Sequence, residues 1–265
     1  MPTELSPHNP RIEAVRDLRT PRGRRAAQRF TAEGPTLLEE AERAGLRPRE
    51  IYATQAGLGR FDPGRWETEG TGVFVVPDRL FARLSDLETP TGILAVFDLP
   101  GGTLAGVLAR PGPVLLLAGV SDPGNAGTLV RSAEAFGAAG VLFGRGGADP
   151  FAPKVVRAAM GSLFRLPVAA VEPEEVLAAA AAAGRPVVAT DVDGEDLAVA
   201  GIPPNAVLAV GNERRGVRDW LPRWDRAVRI PQRDAAESLN AAVAGSIVLY
   251  EASRCQESCQ VAEKP

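Results

Sequence analysis

Side chains able to bind a ligand or handle a proton gather in three short stretches of the second half of the chain, each following an apolar run. The first is Ser121 to Gly127, SDPGNAG, with Asn125, ahead of a helical pattern whose Leu129, Val130, Ala133 and Phe136 form one stripe. At about 100° per residue Arg131 falls opposite that stripe, so it is either a solvated surface residue or a cation aimed at an anionic substrate. The second is Gly211 to Gly216, GNERRG, directly after AVLAV. Its Gly-x-x-x-x-Gly spacing invites comparison with a phosphate loop. The Lys and Ser/Thr that would hold phosphates and magnesium are missing, and Arg218 and Asp219 do not replace them, which excludes a nucleoside triphosphatase of that kind. Glycines at the loop ends instead let backbone approach a flat ligand, while Asn212 and Glu213 offer hydrogen bonds. The third stretch, Ile230 to Glu251, joins a strand end, a polar loop and a helix start. Leu239, Val243, Ile247 and Tyr250 there share one helical face, and Ala241, Ala242, Ala244 and Gly245 admit another backbone. Ser238 and Asn240 stand where the helix begins, and Ser238 can accept hydrogen bonds from its first amides. That segment is either a capped core helix or one wall of a ligand site.

The elements around these loops repeat a simple alternation. VLLLAGV, GVLF, PVAAV, PVVAT, AVLAV and AVRIP are apolar runs of strand length, and helical patterns separate most of them. Such continuous apolar strands predict an α/β domain whose parallel sheet is covered on both faces. In open sheets of this kind ligands collect beyond the carboxyl ends of the strands, where all three polar loops lie. The first half mixes strand and helix: RRAAQRFTAEGPTLLEEAERAG reads as strand then helix, and IYAT, GVFVVP and ILAVFD as strands. Pro100, Gly101, Gly102, Pro111 and Pro113 punctuate the junction. The expected organisation is a small domain over residues 1–98, a linker over 99–111, a second domain over 112–254 and a flexible tail over 255–265.

The balance of 33 acidic and 30 basic residues in 265 is that of a soluble globular chain, not of a nonspecific polyanion binder. Locally, seven arginines between Arg11 and Arg29 face only Glu13 and Asp17. This segment is either a solvated amphipathic helix or a patch that neutralises phosphates. One histidine, His8, and two cysteines, Cys255 and Cys259, cannot furnish a usual metal constellation or a disulfide framework. With no signal-peptide core and no apolar run of membrane length, the expectation is a cytoplasmic protein without a membrane or metal partner.

Taken in order, the three loops resemble the three motifs of the SpoU (TrmH-like) branch of the SPOUT RNA methyltransferases. DPGNAGTLVRSAEAFGAAGV is similar to the first, LAVGNERRGV to the second and VRIPQRDAAESLNAAVAGSIVLYE to the third. RAAMGSLFRLPV is similar to the segment the family carries between the first two. The N-terminal half, through RRAAQRFTAEGPTLLEEA and ETPTGILAVFD, resembles the L30e-like substrate-binding domain that many of these enzymes place in front.

The resemblance implies a parallel sheet with a deep trefoil knot, a homodimer formed through it, and S-adenosylmethionine as cofactor. Thr190, Gly211, Asn212, Ile230, Ser238 and Leu239 would hold that cofactor. The implied reaction is methyl transfer to a ribose 2′-hydroxyl of RNA, with Arg131 as the principal residue and Asn125, Glu213, Ser238 and Asn240 positioning the reactants. An arginine is a donor-only cation, so Arg131 would bind a phosphate and ease formation of the alkoxide, serving the pocket of the partner subunit. The N-terminal domain favours ribosomal RNA, 23S rRNA first, over transfer RNA, with Arg22, Arg24, Arg25 and Arg29 as contacts. The alternatives are the same chemistry on transfer RNA and a non-catalytic RNA-binding or assembly protein of this fold.

Overall fold

The structure, a computed structural model, describes residues 2–212, 214–233 and 238–262. The chain divides into two units, Met1–Pro100 with Phe151–Phe164 and Gly101–Pro150 with Arg165–Pro265.

The first hundred residues run β1 (Thr3–Glu4), α1 (Pro10–Asp17), α2 (Pro21–Ala27), β2 (Arg29–Glu33), α3 (Pro35–Arg43), β3 (Glu50–Ala53), α4 (Gln55–Leu58), α5 (Pro63–Thr68), β4 (Gly72–Val75), α6 (Asp78–Leu84) and β5 (Ile93–Asp98). They form one sheet in the order β1-β4-β3-β5-β2, in which β5 is antiparallel to both of its neighbours. Asn9 and Thr20 accept hydrogen bonds from first-turn amides of α1 and α2, and Pro10 and Pro21 open those helices, where a missing N–H costs nothing.

The chain continues as α7 (Leu104–Leu108), β6 (Val114–Ala118), α8 (Pro123–Ala135), β7 (Gly140–Gly144), α9 (Pro153–Ala159), β8 (Val168–Val171), α10 (Pro173–Ala182), β9 (Val187–Asp196), α11 (Leu197–Ala200), β10 (Val207–Gly211), β11 (Arg226–Arg229) and α12 (Ala241–Ala262). The six strands of the second unit pair in the order β11-β9-β10-β6-β7-β8, every pair parallel, as the apolar runs predict. β6 and β7 are buried along their whole length, consistent with helices on both faces.

The structure redraws the expected boundaries in three places. The segment expected as a linker contains α7, whose Val107 and Leu108 are buried in the core of the second unit. Phe151–Phe164, inside the expected second domain, packs instead with the first unit, where Phe151 and Phe164 join Phe30 and Phe97 in an aromatic cluster. The tail is helical as far as Ala262, because α12 continues past Cys255.

On α12 the small residues meet the rest of the unit, and the face of Val243, Ile247 and Tyr250 stays outward. Val243, Ile247 and Tyr250 are 47%, 37% and 51% exposed, whereas Ala242, Val248, Leu249 and Ala252 are buried. Small residues decide this: at Gly245 a Cβ would stand 2.3 Å from Leu129 Cδ2, so only glycine lets α12 lie against α8 and β10. Ser246 Oγ lies 2.7 Å from Ser132 Oγ and donates to Ala242 O, which pins the same contact.

Arg185 explains why the segment after Pro100 is fixed in the second unit. Its guanidinium, 7% exposed, donates to the carbonyls of Leu108 and Gly112 at 2.8 Å, of Asn205 at 2.9 Å, and of Arg110. An Arg185→Met substitution leaves these carbonyls without a donor and should cost about 2–4 kcal/mol in urea unfolding. Arg185→Lys should recover only part of the loss, since one ammonium cannot reproduce the planar fork. Equal stability of wild type and Arg185→Met would contradict this assignment.

Candidate active site

Each polar loop follows the carboxyl end of a strand: residues 119–125 follow β6, 212–216 follow β10, and 230–240 follow β11. β10 lies between β6 and β9, and β9 pairs with β11, so the three loops rise from one end of one sheet.

Hydrogen bonds connect them. Asn240 Oδ1 accepts from the amides of Ala242 and Val243 at 2.9 and 3.3 Å, which makes Asn240 the cap of α12 in place of Ser238. Its other amide atom, Nδ2, then donates to Asn125 Oδ1 at 3.0 Å. Asn125 is held in turn by Asp122, whose Oδ1 accepts from the Asn125 amide at 2.7 Å as the cap of α8. Asn212 Nδ2 donates to Ser121 Oγ at 3.4 Å, and Asn212 Oδ1 accepts from the Arg214 amide at 3.0 Å. Gly211 sits where the loop folds back on itself, and a Cβ there would stand 2.1 Å from the Gly216 carbonyl carbon.

A break in the sheet opens the site. Consecutive residues Ala227 and Val228 of β11 pair with Ala189 and Glu195 of β9, so residues 190–194 leave the ladder. Thr190, Gly211, Asn212, Ile230, Ser238 and Leu239 all line a cavity of about 340 Å³ formed there. Thr190 Oγ1 is buried and has no hydrogen-bond partner among the described residues. Asn125 and Asn240 line a second cavity, of about 970 Å³, which shares Asn212 and Gly216 with the first. Arg131 lines neither; it is exposed on α8 and makes no hydrogen bond or ion pair among the described residues. Glu213 lies outside the described residues.

The sequence reading passed over the charged side chains of the smaller cavity, Asp191, Arg229 and Arg233. Asp191, in the segment that leaves the ladder, lines the smaller cavity, and its side chain is only 8% exposed. Arg218 Nε donates to Asp191 Oδ2 at 3.0 Å, and Arg218 Nη2 to Asp193 Oδ2 at 3.1 Å. The guanidinium also lies 5.4 Å from the Trp224 ring centroid. The Arg218 hydrogen bond is the main cause holding the Asp191 carboxyl below the ordinary carboxylate range. Residues 27 apart carry no periodic signal, so only the fold brings this pair together.

Residues 112–250 match the model of the SpoU rRNA Methylase family. The chain belongs to that family. Residues 9–95 match the MRM3-like substrate binding domain, so a SpoU methylase domain follows a substrate-binding domain. Among SpoU relatives, a 23S rRNA (guanosine(2553)-2′-O)-methyltransferase of Bacillus subtilis is 34% identical, over 92% of this chain and 96% of the relative. A 23S rRNA (uridine(2479)-2′-O)-methyltransferase of Streptomyces viridochromogenes is 36% identical, over 73% of this chain and 70% of the relative. The SpoU methyltransferase AviRb of S. viridochromogenes, solved with the cofactor AdoMet, superposes with a TM-score of 0.81 at 31% identity, covering 95% of this chain and 99% of that one.

In the substrate-binding unit, Arg22 and Arg25 are exposed, and Arg29 Nε lies 3.8 Å from Asp98 Oδ1. Arg24 departs from expectation. It is 2% exposed, and its Nη1 donates to the Leu18 carbonyl at 2.8 Å, so it braces the turn between α1 and α2 and is not presented to RNA.

An Arg218→Ala substitution should return the Asp191 carboxyl toward its ordinary value of about 3.9, read by carboxyl ¹³C NMR. Because the folded value is depressed, the pair's stabilisation is complete above the unfolded value and lost as pH falls through the lower folded one. Wild type should therefore lose more stability than Arg218→Ala on acidification below about pH 4. Superimposable titrations would contradict the assignment.

Proposed function

We propose that this chain transfers a methyl group from S-adenosylmethionine to a ribose 2′-hydroxyl of ribosomal RNA, 23S rRNA first. The observation that carries the reading is the convergence of the three loops at the carboxyl end of one parallel sheet, where the second and third line the smaller cavity and all three line the larger one that adjoins it. The names of the relatives agree with it. The cavity suits the cofactor. Thr190 Oγ1 has no partner among the described residues, glycine at 211 and 216 brings backbone close to the cavity, and Ile230 and Leu239 supply apolar wall. The Asp191 carboxylate, paired with Arg218, stands on the same wall as a hydrogen-bond acceptor.

When bound, S-adenosylmethionine supplies a methyl group already attached to a good leaving group. The protein's task is then to align the ribose oxygen and to ease loss of its proton. Asn125 and Asn240, locked to each other, offer hydrogen bonds at the entrance, and Glu213 and Ser238 complete the positioning set. Arg131 binds the phosphate beside the target and lowers the cost of the 2′-alkoxide, while the proton leaves to water or another acceptor.

That role requires a second copy of the chain. Arg131 lines neither cavity, and Val243, Ile247 and Tyr250 leave an apolar stripe on α12, which packs against α8. A symmetric pair of subunits would cover the stripe and carry Arg131 of each to the cavity of the other. The C-terminal segment is threaded in the trefoil knot of the family, and a ribosomal RNA substrate puts the work in the cytoplasm. Arg22 and Arg25 of the first unit hold the RNA backbone, assisted by Arg29.

Arg131→Ala should lower the methyl-transfer rate about 10²–10³-fold while cofactor affinity in calorimetry stays near wild type. Gly211→Leu should lose cofactor binding. Co-expression of the two variants should restore activity that neither homodimer has, because a mixed dimer holds one intact composite site. No restoration with dimers confirmed would place Arg131 in the cavity of its own subunit.

A further inference from the structure

The larger cavity of the second unit has a lining that the proposed cofactor chemistry leaves unused. Arg145, at the end of β7, and Arg214 and Arg215, after β10, stand on its wall, with Trp220 among them. The three arginines are exposed. Arg145 Nε is 3.3 Å from Glu172 Oε1 and Arg215 Nη1 is 3.3 Å from Asp219 Oδ2, solvent-facing pairs of the kind that yield readily to a phosphate. The Arg214 side chain makes no hydrogen bond or ion pair among the described residues.

Trp220 is built into this wall. Its Nε1 donates to the Arg145 carbonyl at 2.9 Å, and at Gly144 a Cβ would stand 2.6 Å from the indole Cε2. Glycine at that position therefore makes room for the ring, which remains partly exposed to the cavity. An aromatic surface flanked by guanidinium groups is the combination that binds single-stranded nucleic acid, the ring stacking on a base while the cations follow the phosphates. A duplex would hide its base faces, and a small ligand would not require cations on two separate loops.

We infer that this cavity is the seat of an unpaired RNA segment next to the target nucleotide. A base stacks on Trp220, and Arg145, Arg214 and Arg215 hold the flanking phosphates. The shared lining at Asn212 and Gly216 brings that segment beside the cofactor cavity. The inference rests on the proposed RNA methyltransferase reading and deepens it by naming a single strand as the bound form.

The test is fluorescence anisotropy of the full-length protein with a fluorescein-labelled, unstructured RNA of about twelve nucleotides, over a range of salt. Arg145→Ala, Arg214→Ala and Arg215→Ala should each weaken binding and lower the slope of log K against log salt by about 0.7. Trp220→Leu should weaken binding about tenfold, and Trp220→Phe should recover most of that loss because a stacking face remains. Cofactor affinity in calorimetry should stay near wild type throughout. RNA affinity and salt slope unchanged in all three arginine variants would overturn the inference, as would a Trp220→Phe protein as impaired as Trp220→Leu. Methyl transfer by wild type to 23S rRNA, measured in parallel, separates the two claims. Its absence counts against the proposed function, whereas unaffected variants beside an active wild type count against this seat alone.

Discussion

The hydrogen bond from Asn240 Nδ2 to Asn125 Oδ1 closes the site, and the other features depend on it. One end of the Asn240 amide caps α12 while the other reaches the first turn of α8, so the start of the last helix is tied to a loop 115 residues away. Such a bond is worth only about 1 kcal/mol by itself. It is sustained by packing, since Gly245 lets α12 lie against Leu129, and the Ser132–Ser246 contact adds a second tie along the same pair of helices. The third loop is thereby carried over the carboxyl ends of β9 and β10, where residues 190–194 have left the ladder and opened a cavity.

Charge is distributed in keeping with this arrangement. The net charge of −3 gives little nonspecific attraction to RNA, so cations must act locally. In the first unit Arg24 turns inward to brace a turn, leaving Arg22 and Arg25 outward. In the second unit Asp191 is the nearly buried acid at the small cavity and is neutralised from outside by Arg218. Both cavities thus carry arginines beside acids, Arg229 and Arg233 with Asp191 on the small one, and Arg145, Arg214 and Arg215 with Asp122 and Asp219 on the large one.

Much of this was legible in the residues. Strands such as VLLLA are apolar throughout because both faces are covered, and that pattern is sufficient for a parallel sheet. The polar loops stood out because they interrupt it, and the order of their motifs pointed to the family. The buried face of α12 was not legible: a hydrophobic stripe says that a face seeks cover, not which partner supplies it, and here alanines and a glycine meet the sheet. The same limit applies to Phe151–Phe164, whose aromatic partners are remote in sequence, and to α7, whose Leu108 carbonyl is held by Arg185, 77 residues away. Proline and glycine after Pro100 mark a change of direction, which looks the same in a linker and in a turn within a domain.

The central claim is that the cavity serves ribose methylation of RNA. Its most direct test is incubation of the purified protein with methyl-labelled S-adenosylmethionine and unmodified 23S rRNA, followed by nuclease digestion and mass spectrometry of the nucleosides. The account predicts label in one 2′-O-methylated nucleoside, with none on the bases. Label on a base, or none in the RNA from a protein that binds the cofactor, would contradict it.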